Sequence, residues 1–112
     1  MRLFSRKKKN ETYTTTLNGN TAKGRQELLQ ELQQNHEELK TWLDIKNNAI
    51  CICVGFKGKV IGTVDSKITK TLCSKYENNN GLSCDIVIGT NYHIVQSNGV
   101  LSCSVTLTVI PN

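Results

Sequence analysis

The sequence predicts an α+β domain: a mostly antiparallel four- to five-stranded sheet packed with one long and one short helix, behind a disordered basic N-terminal arm. Three observations carry this expectation. Positive charge is concentrated at the N-terminus, leucines recur at helical spacing between residues 28 and 43, and the C-terminal segment alternates apolar and hydroxyl side chains. With 112 residues the chain has the length of one domain, residues 21–112, with residues 1–20 as the arm.

The arm is defined by charge and composition. Residues 1–25 hold Arg2, Arg6, Lys7, Lys8, Lys9, Lys23 and Arg25 against Glu11 alone, whereas residues 26–112 hold seven lysines and eight acids. The net charge of +5 therefore resides in the first quarter, which assigns an anionic partner to the arm and not to the body. Beyond Leu3 and Phe4 the first twenty residues are polar and threonine-rich, without helical period, so they bury too little to offset ordering entropy.

A helix is expected to start between Thr21 and Arg25, with Asn20 or Thr21 as N-cap. Leu28, Leu29, Leu32, Leu39, Trp42 and Leu43 form its apolar stripe, with His36 filling the gap, and it ends by Asn47-Asn48. That pattern places Trp42 in the core. Ala49 to Phe56 is an almost unbroken apolar run of strand length, suited to a strand covered on both faces. Lys57-Gly58-Lys59 turns the chain, and Val60 to Val64 returns as the second arm of a hairpin. Asp65-Ser66 caps a short helix over roughly Lys67 to Tyr76, whose face is Ile68, Leu72, Cys73 and Tyr76. Glu77 to Gly81 is a loop by composition. Strands follow at Cys84–Ile88 and Tyr92–Gln96. Asn98-Gly99 then marks a tight hairpin, because both residues tolerate positive φ. In the last strand Leu101, Cys103, Val105, Leu107 and Val109 face the core, and Ser102, Ser104, Thr106 and Thr108 face water or a partner. Pro111 ends it.

No apolar run follows the N-terminal cations as a secretory signal requires, and no stretch approaches the roughly 20 apolar residues of a transmembrane helix. The expected location is the cytosol, peripheral to membranes, or the nucleus. In that reducing setting the five cysteines, all after residue 50, are expected to be packing thiols. Cys51-Ile52-Cys53 lies inside an apolar strand without a second pair, unlike a zinc knuckle, so neither metal nor cofactor is expected. Gly55-Phe56-Lys57-Gly58-Lys59 lacks phosphate-loop spacing and reads as a turn.

The sequence therefore predicts binding, not catalysis. Arg2, Leu3, Phe4, Arg6, Lys7, Lys8 and Lys9 combine five cations with two bulky apolar groups, which suits an anionic membrane surface or another polyanion such as nucleic acid. An alternative is a host-protein antagonist working through a sheet edge or the face of Ser102, Ser104, Thr106 and Thr108. A third is a cysteine- or histidine-dependent hydrolase, which needs a cleft joining His93 to a thiol, with Asp85 as partner. An exposed final strand would also allow a homo-oligomer.

The lysine-rich run Arg6-Lys7-Lys8-Lys9, followed by a compact strand–helix–strand body, resembles the matrix proteins of rhabdoviruses. Phe56 to Val64 resembles their first core strand, Ser66 to Tyr76 the helix after it, and Gly99 to Ile110 a later strand. The resemblance implies a short matrix-like viral accessory protein that associates with membranes, self-assembles or engages host or viral proteins. The chain has about half the usual family length. With Pro111 as its single proline, it lacks the proline-tyrosine budding motif of many members.

Overall fold

The computed structural model describes residues 9–79 and 81–112. Its elements are β1 (Glu11–Thr16), α1 (Arg25–Asn35), β2 (Leu39–Asp44), β3 (Ala49–Val54), β4 (Lys59–Thr63), α2 (Ser66–Tyr76), β5 (Glu77–Asn78), β6 (Gly81–Leu82), β7 (Cys84–Val87), β8 (Tyr92–Ser97) and β9 (Val100–Pro111). The class is α+β with antiparallel pairing throughout, and the helices are of equal length, eleven residues each.

Long β9 organises the larger sheet. One edge pairs with β1 in the register Glu11↔Val109 to Thr16↔Ser104. The other pairs with β8 over Val100–Val105 and with β7 over Thr108–Pro111. The smaller sheet is β2-β3-β4, and β5 and β6 make a two-stranded ribbon. Two single bridges join the sheets, Leu39↔Gly89 on one side and Asn18↔Thr63 on the other, so the strands curl into a barrel-like ring. Leu101, Cys103, Val105, Leu107 and Val109 point inward with Ile50, Ile52, Ile61, Leu72, Leu29 and Leu32. The alternation read from β9 is thus its observed burial pattern.

Several expectations are corrected. The arm does not extend to residue 20, because Glu11–Thr16 are β1, and Leu17 and Asn20 are buried. Thr12, Tyr13, Thr14, Thr15 and Thr16 are β-formers that alternate, and β9 supplies the partner strand that a local reading cannot see. The disorder expected of residues 1–8 falls outside the described residues. The final strand has no free edge, since both its sides are paired, so the oligomer route through it is closed.

The first helix ends at Asn35, and the predicted stripe is two elements. His36 adopts φ 50° and ψ 47° as the C-cap, with its N–H bonded to the Leu32 carbonyl, and its ring stacks on Tyr92 at 4.8 Å. Leu39, Thr41 and Leu43 then face inward and Lys40 and Trp42 outward, a period of two that overrides the longer helical spacing. Trp42 is 56% exposed and not core. Glu37 and Glu38, within the span expected to be helical, lie in the connection between α1 and β2. The N-cap of α1 is Gly24 at φ 83°, without a side-chain cap, because Asn20 is committed elsewhere. The strand begun at Ala49 stops at Val54, and Phe56 lies in the turn. By contrast, Asp65 caps α2 as expected, accepting from the Lys67 N–H at 3.2 Å. Asn98 and Gly99 take positive φ (53° and 78°) at the β8–β9 turn.

Candidate functional site

Two outward surfaces and one charged corner distinguish the molecule. The first surface is the outer face of the larger sheet. Because Thr12, Thr14 and Thr16 stand opposite Thr108, Thr106 and Ser104, the hydroxyl row of β9 becomes a double row. Thr14 Oγ1 lies 3.2 Å from Thr106 Oγ1, and Thr16 Oγ1 lies 3.0 Å from Ser104 Oγ. Ser102, Ser104, Thr106 and Thr108 are half-buried by these neighbours, and Ser102 Oγ donates to the Val95 carbonyl at 3.5 Å. His93 stands opposite Ser104 and Asp85 opposite Ile110 on the same face. Six residues of β9 separate them, or about 20 Å at ~3.3 Å per residue, so they do not form an acid–base pair.

The thiols do not approach His93 from that face. Cys103 is wholly buried in the core, and burial pushes its pKa up to about 12. Burial likewise raises Cys51, Cys53, Cys73 and Cys84 and disfavours the thiolate a nucleophile needs. Among the described residues, no group of three or more His, Cys, Asp or Glu is placed to hold a metal ion.

The second surface is the outer face of β2-β3-β4. Trp42 stands opposite Cys51, and Lys40 opposite Cys53, which in turn stands opposite Val60. Beyond them Gly55-Phe56-Lys57-Gly58 forms the β3–β4 turn, closed by the Gly58 N–H donating to the Gly55 carbonyl at 3.1 Å. Gly55 and Gly58 both need positive φ (82° and 66°), which fixes the turn and leaves Phe56 fully exposed at its tip. Trp42, Phe56, Lys40, Lys57 and Val60 line an open cleft of about 440 Å³ over Cys53. Sequence reasoning missed this site. The available signal was the alternation Leu39-Lys40-Thr41-Trp42-Leu43, masked by leucines that also fit a helix.

The charged corner lies where β1 begins. Glu11 Oε2 accepts from Lys75 Nζ at 2.7 Å, and Oε1 accepts from Tyr13 Oη at 2.9 Å and Tyr76 Oη at 3.4 Å. The Lys75 hydrogen bond, then that from Tyr13, lowers the Glu11 pKa below the ordinary glutamate range. A carboxylate with a depressed native pKa adds stability above its unfolded pKa, and that contribution disappears as pH falls through the native value. Glu11→Gln is therefore expected to leave a shallower loss of melting temperature between neutral pH and pH ~3 than the wild type shows. Parallel thermal melts measure the difference.

Lys9, the first described cation of the predicted binding run, is exposed and lines a shallow cleft with Glu11, Lys75 and Tyr76. Arg2, Leu3, Phe4, Arg6, Lys7 and Lys8 fall outside the described residues. No described helix is long and apolar enough to cross a membrane. No family model, curated protein or solved structure matches the chain.

Proposed function

We propose that this chain is a small non-enzymatic accessory or matrix-like viral protein whose basic leader binds an anionic membrane surface. The observation that carries this reading is the engagement of Glu11. It is the one acid among the first 25 residues, and Lys75 holds it at 2.7 Å, so it is not available to neutralise the leader's cations. Arg2, Arg6, Lys7, Lys8 and Lys9 each gain roughly 1 kcal/mol at an anionic surface, and Leu3 and Phe4 add apolar insertion. The raised thiol pKa values and the separation of His93 from Asp85 support binding over hydrolysis. The resemblance of the lysine run and the later segments to rhabdovirus matrix proteins supports the viral reading and a cytoplasmic, membrane-peripheral location.

The test compares the wild type with a full-length variant carrying Arg2→Gln, Arg6→Gln, Lys7→Gln, Lys8→Gln and Lys9→Gln in vesicle sedimentation. Binding to phosphatidylserine-containing vesicles is expected to fall at least tenfold in the variant, and wild-type binding is expected to weaken as salt rises. Equal binding by both proteins rejects the leader as the contact.

The double hydroxyl row favours a second reading, a protein partner docked on the outer face of β1 and β9. Thr12, Thr14, Thr16, Ser104 and Thr106 offer donors and acceptors there, beside the exposed apolar side chains Val95, Val87 and Ile110.

A further inference from the structure

We propose that the cleft between Trp42 and Phe56 is a second lipid contact, built into the folded body and independent of the basic leader. Phe56 is fully exposed on a glycine-bounded turn, and nothing in the fold requires an aromatic side chain there. A bulky ring held in water at a hairpin tip gains by entering the interfacial zone of a bilayer, a depth of roughly 5–10 Å. Trp42, behind it on β2, combines an apolar ring with an indole N–H, the side-chain chemistry favoured at headgroup level.

Charge selects the partner. Lys40 and Lys57 line the cleft with the two rings, and no acid lines it. Glu31 and Glu37 lie across Phe56 in a separate cleft with Leu28, Val54 and Lys59, and Asp85 lies on the far side of Trp42 in a cleft with Leu43 and Val87. Approaching a membrane by the Phe56 end of the outer face of β2-β3-β4, away from Asp44 at the other end of β2, therefore presents two ammonium groups to lipid phosphates. Single-stranded nucleic acid is a poorer match, since stacking of successive bases needs aromatic faces arrayed along a basic groove, whereas here two rings flank one short cleft and one of them stands on a protruding tip.

The contact is separate in space from Lys9, the described residue of the leader. β3 runs from Ala49, whose turn meets α2 through Asn48 and Cys73, to Val54 at the Phe56 turn. α2 also carries Lys75 and Tyr76 to Glu11 and the cleft that Lys9 lines, so Lys9 lies by the helix that meets the Ala49 end of β3, and Phe56 lies at the other end of that strand.

Trp42 is the single tryptophan of the chain and therefore reports directly on this surface. The experiment measures its emission, and sedimentation in parallel, for wild type, Phe56→Ser and the five-glutamine leader variant. Each is mixed with phosphatidylserine/phosphatidylcholine vesicles with and without brominated acyl chains, and with polyuridylate. For wild type with vesicles, a blue shift and quenching by brominated lipid are expected. At saturating lipid both should persist in the leader variant, while Phe56→Ser should bind about tenfold more weakly. Sedimentation of wild type with an unshifted, unquenched Trp42 would overturn the proposal while leaving the leader reading intact. Absence of sedimentation removes both. Quenching by polyuridylate but not by vesicles overturns the proposal in favour of nucleic acid. A shift that survives Phe56→Ser with undiminished affinity removes the tip from the contact.

Discussion

Gly62→Ala is expected to destabilise the protein by about 3 kcal/mol, at the upper end of what overpacking costs, and Gly62→Val to leave little folded protein. A Cβ at residue 62 would sit 2.9 Å from the Asn18 carbonyl oxygen, 2.9 Å from Asn20 Nδ2 and 2.9 Å from Leu17 Cβ. Two of these are backbone or backbone-proximal atoms, so they cannot swing aside as a flexible side-chain tip would. The crowding arises because the segment after β1 meets β4 here through paired bonds, Asn18 N–H to the Thr63 carbonyl at 2.9 Å and the reverse at 3.0 Å. A side chain on Gly62 pushes this junction apart and opens the ring. Denaturant midpoints for wild type and Gly62→Ala, with the slope monitored to confirm one cooperative transition, measure the effect.

Asn20→Ala is expected to cost about 2–4 kcal/mol, because it strands two buried backbone groups at once. Asn20 is 6% exposed, donates from Nδ2 to the Ile61 carbonyl at 2.7 Å, and accepts at Oδ1 from the Cys103 N–H at 3.1 Å. It thereby links β4 to β9 across the core. Asn20→Asp keeps the acceptor but turns an oxygen toward the Ile61 carbonyl, so it should not restore stability. Since Asn20 also meets the space a Gly62 side chain would take, the double variant should be less destabilised than the sum of the singles. Agreement with strict additivity in the same denaturation series would separate the two sites and refute the shared junction.

Gln26 completes this polar girdle. Its Nε2 donates to the Asn20 carbonyl at 2.9 Å and the Leu101 carbonyl at 2.8 Å, while Oε1 accepts from the Leu101 N–H at 2.9 Å. In the sequence Gln26 reads as one more polar residue of a helix, and Asn20 as a loop or cap residue. Their partners lie 75 and 83 positions away in Leu101 and Cys103, which no local pattern exposes.

The elements that were legible are those whose signal is local. Alternation over Leu101–Val109 fixed both faces of β9, Asn98-Gly99 its entry turn, and Asp65 the start of α2. The misread elements carry two compatible periods or depend on a distant partner. Leu32, Leu39 and Leu43 fit a helical stripe by spacing. Nothing apolar between Gln33 and Glu38 continues that helix, however, and His36 ends it by leaving the right-handed region. The Trp42–Phe56 surface was hidden for the same reason, since assigning Trp42 to a helix sent it to the core. Of the candidate site residues, the hydroxyl row was legible in position but not in extent, because its partners Thr12, Thr14 and Thr16 lie in a segment that only β9 orders.

The amino-acid order alone determined the α+β class, the segregation of positive charge near the N-terminus, and the inward set of the last strand, because charge and short-range periodicity are properties of neighbours along the chain. Tertiary structure decided that Glu11–Thr16 belong to the fold, that Trp42 faces solvent beside Phe56, and that two sheets close through Asn18, Asn20 and Gly62. Each of those outcomes depends on backbone and side-chain groups far apart in sequence finding hydrogen-bond partners and space in one another, and that complementarity exists only once the chain has folded.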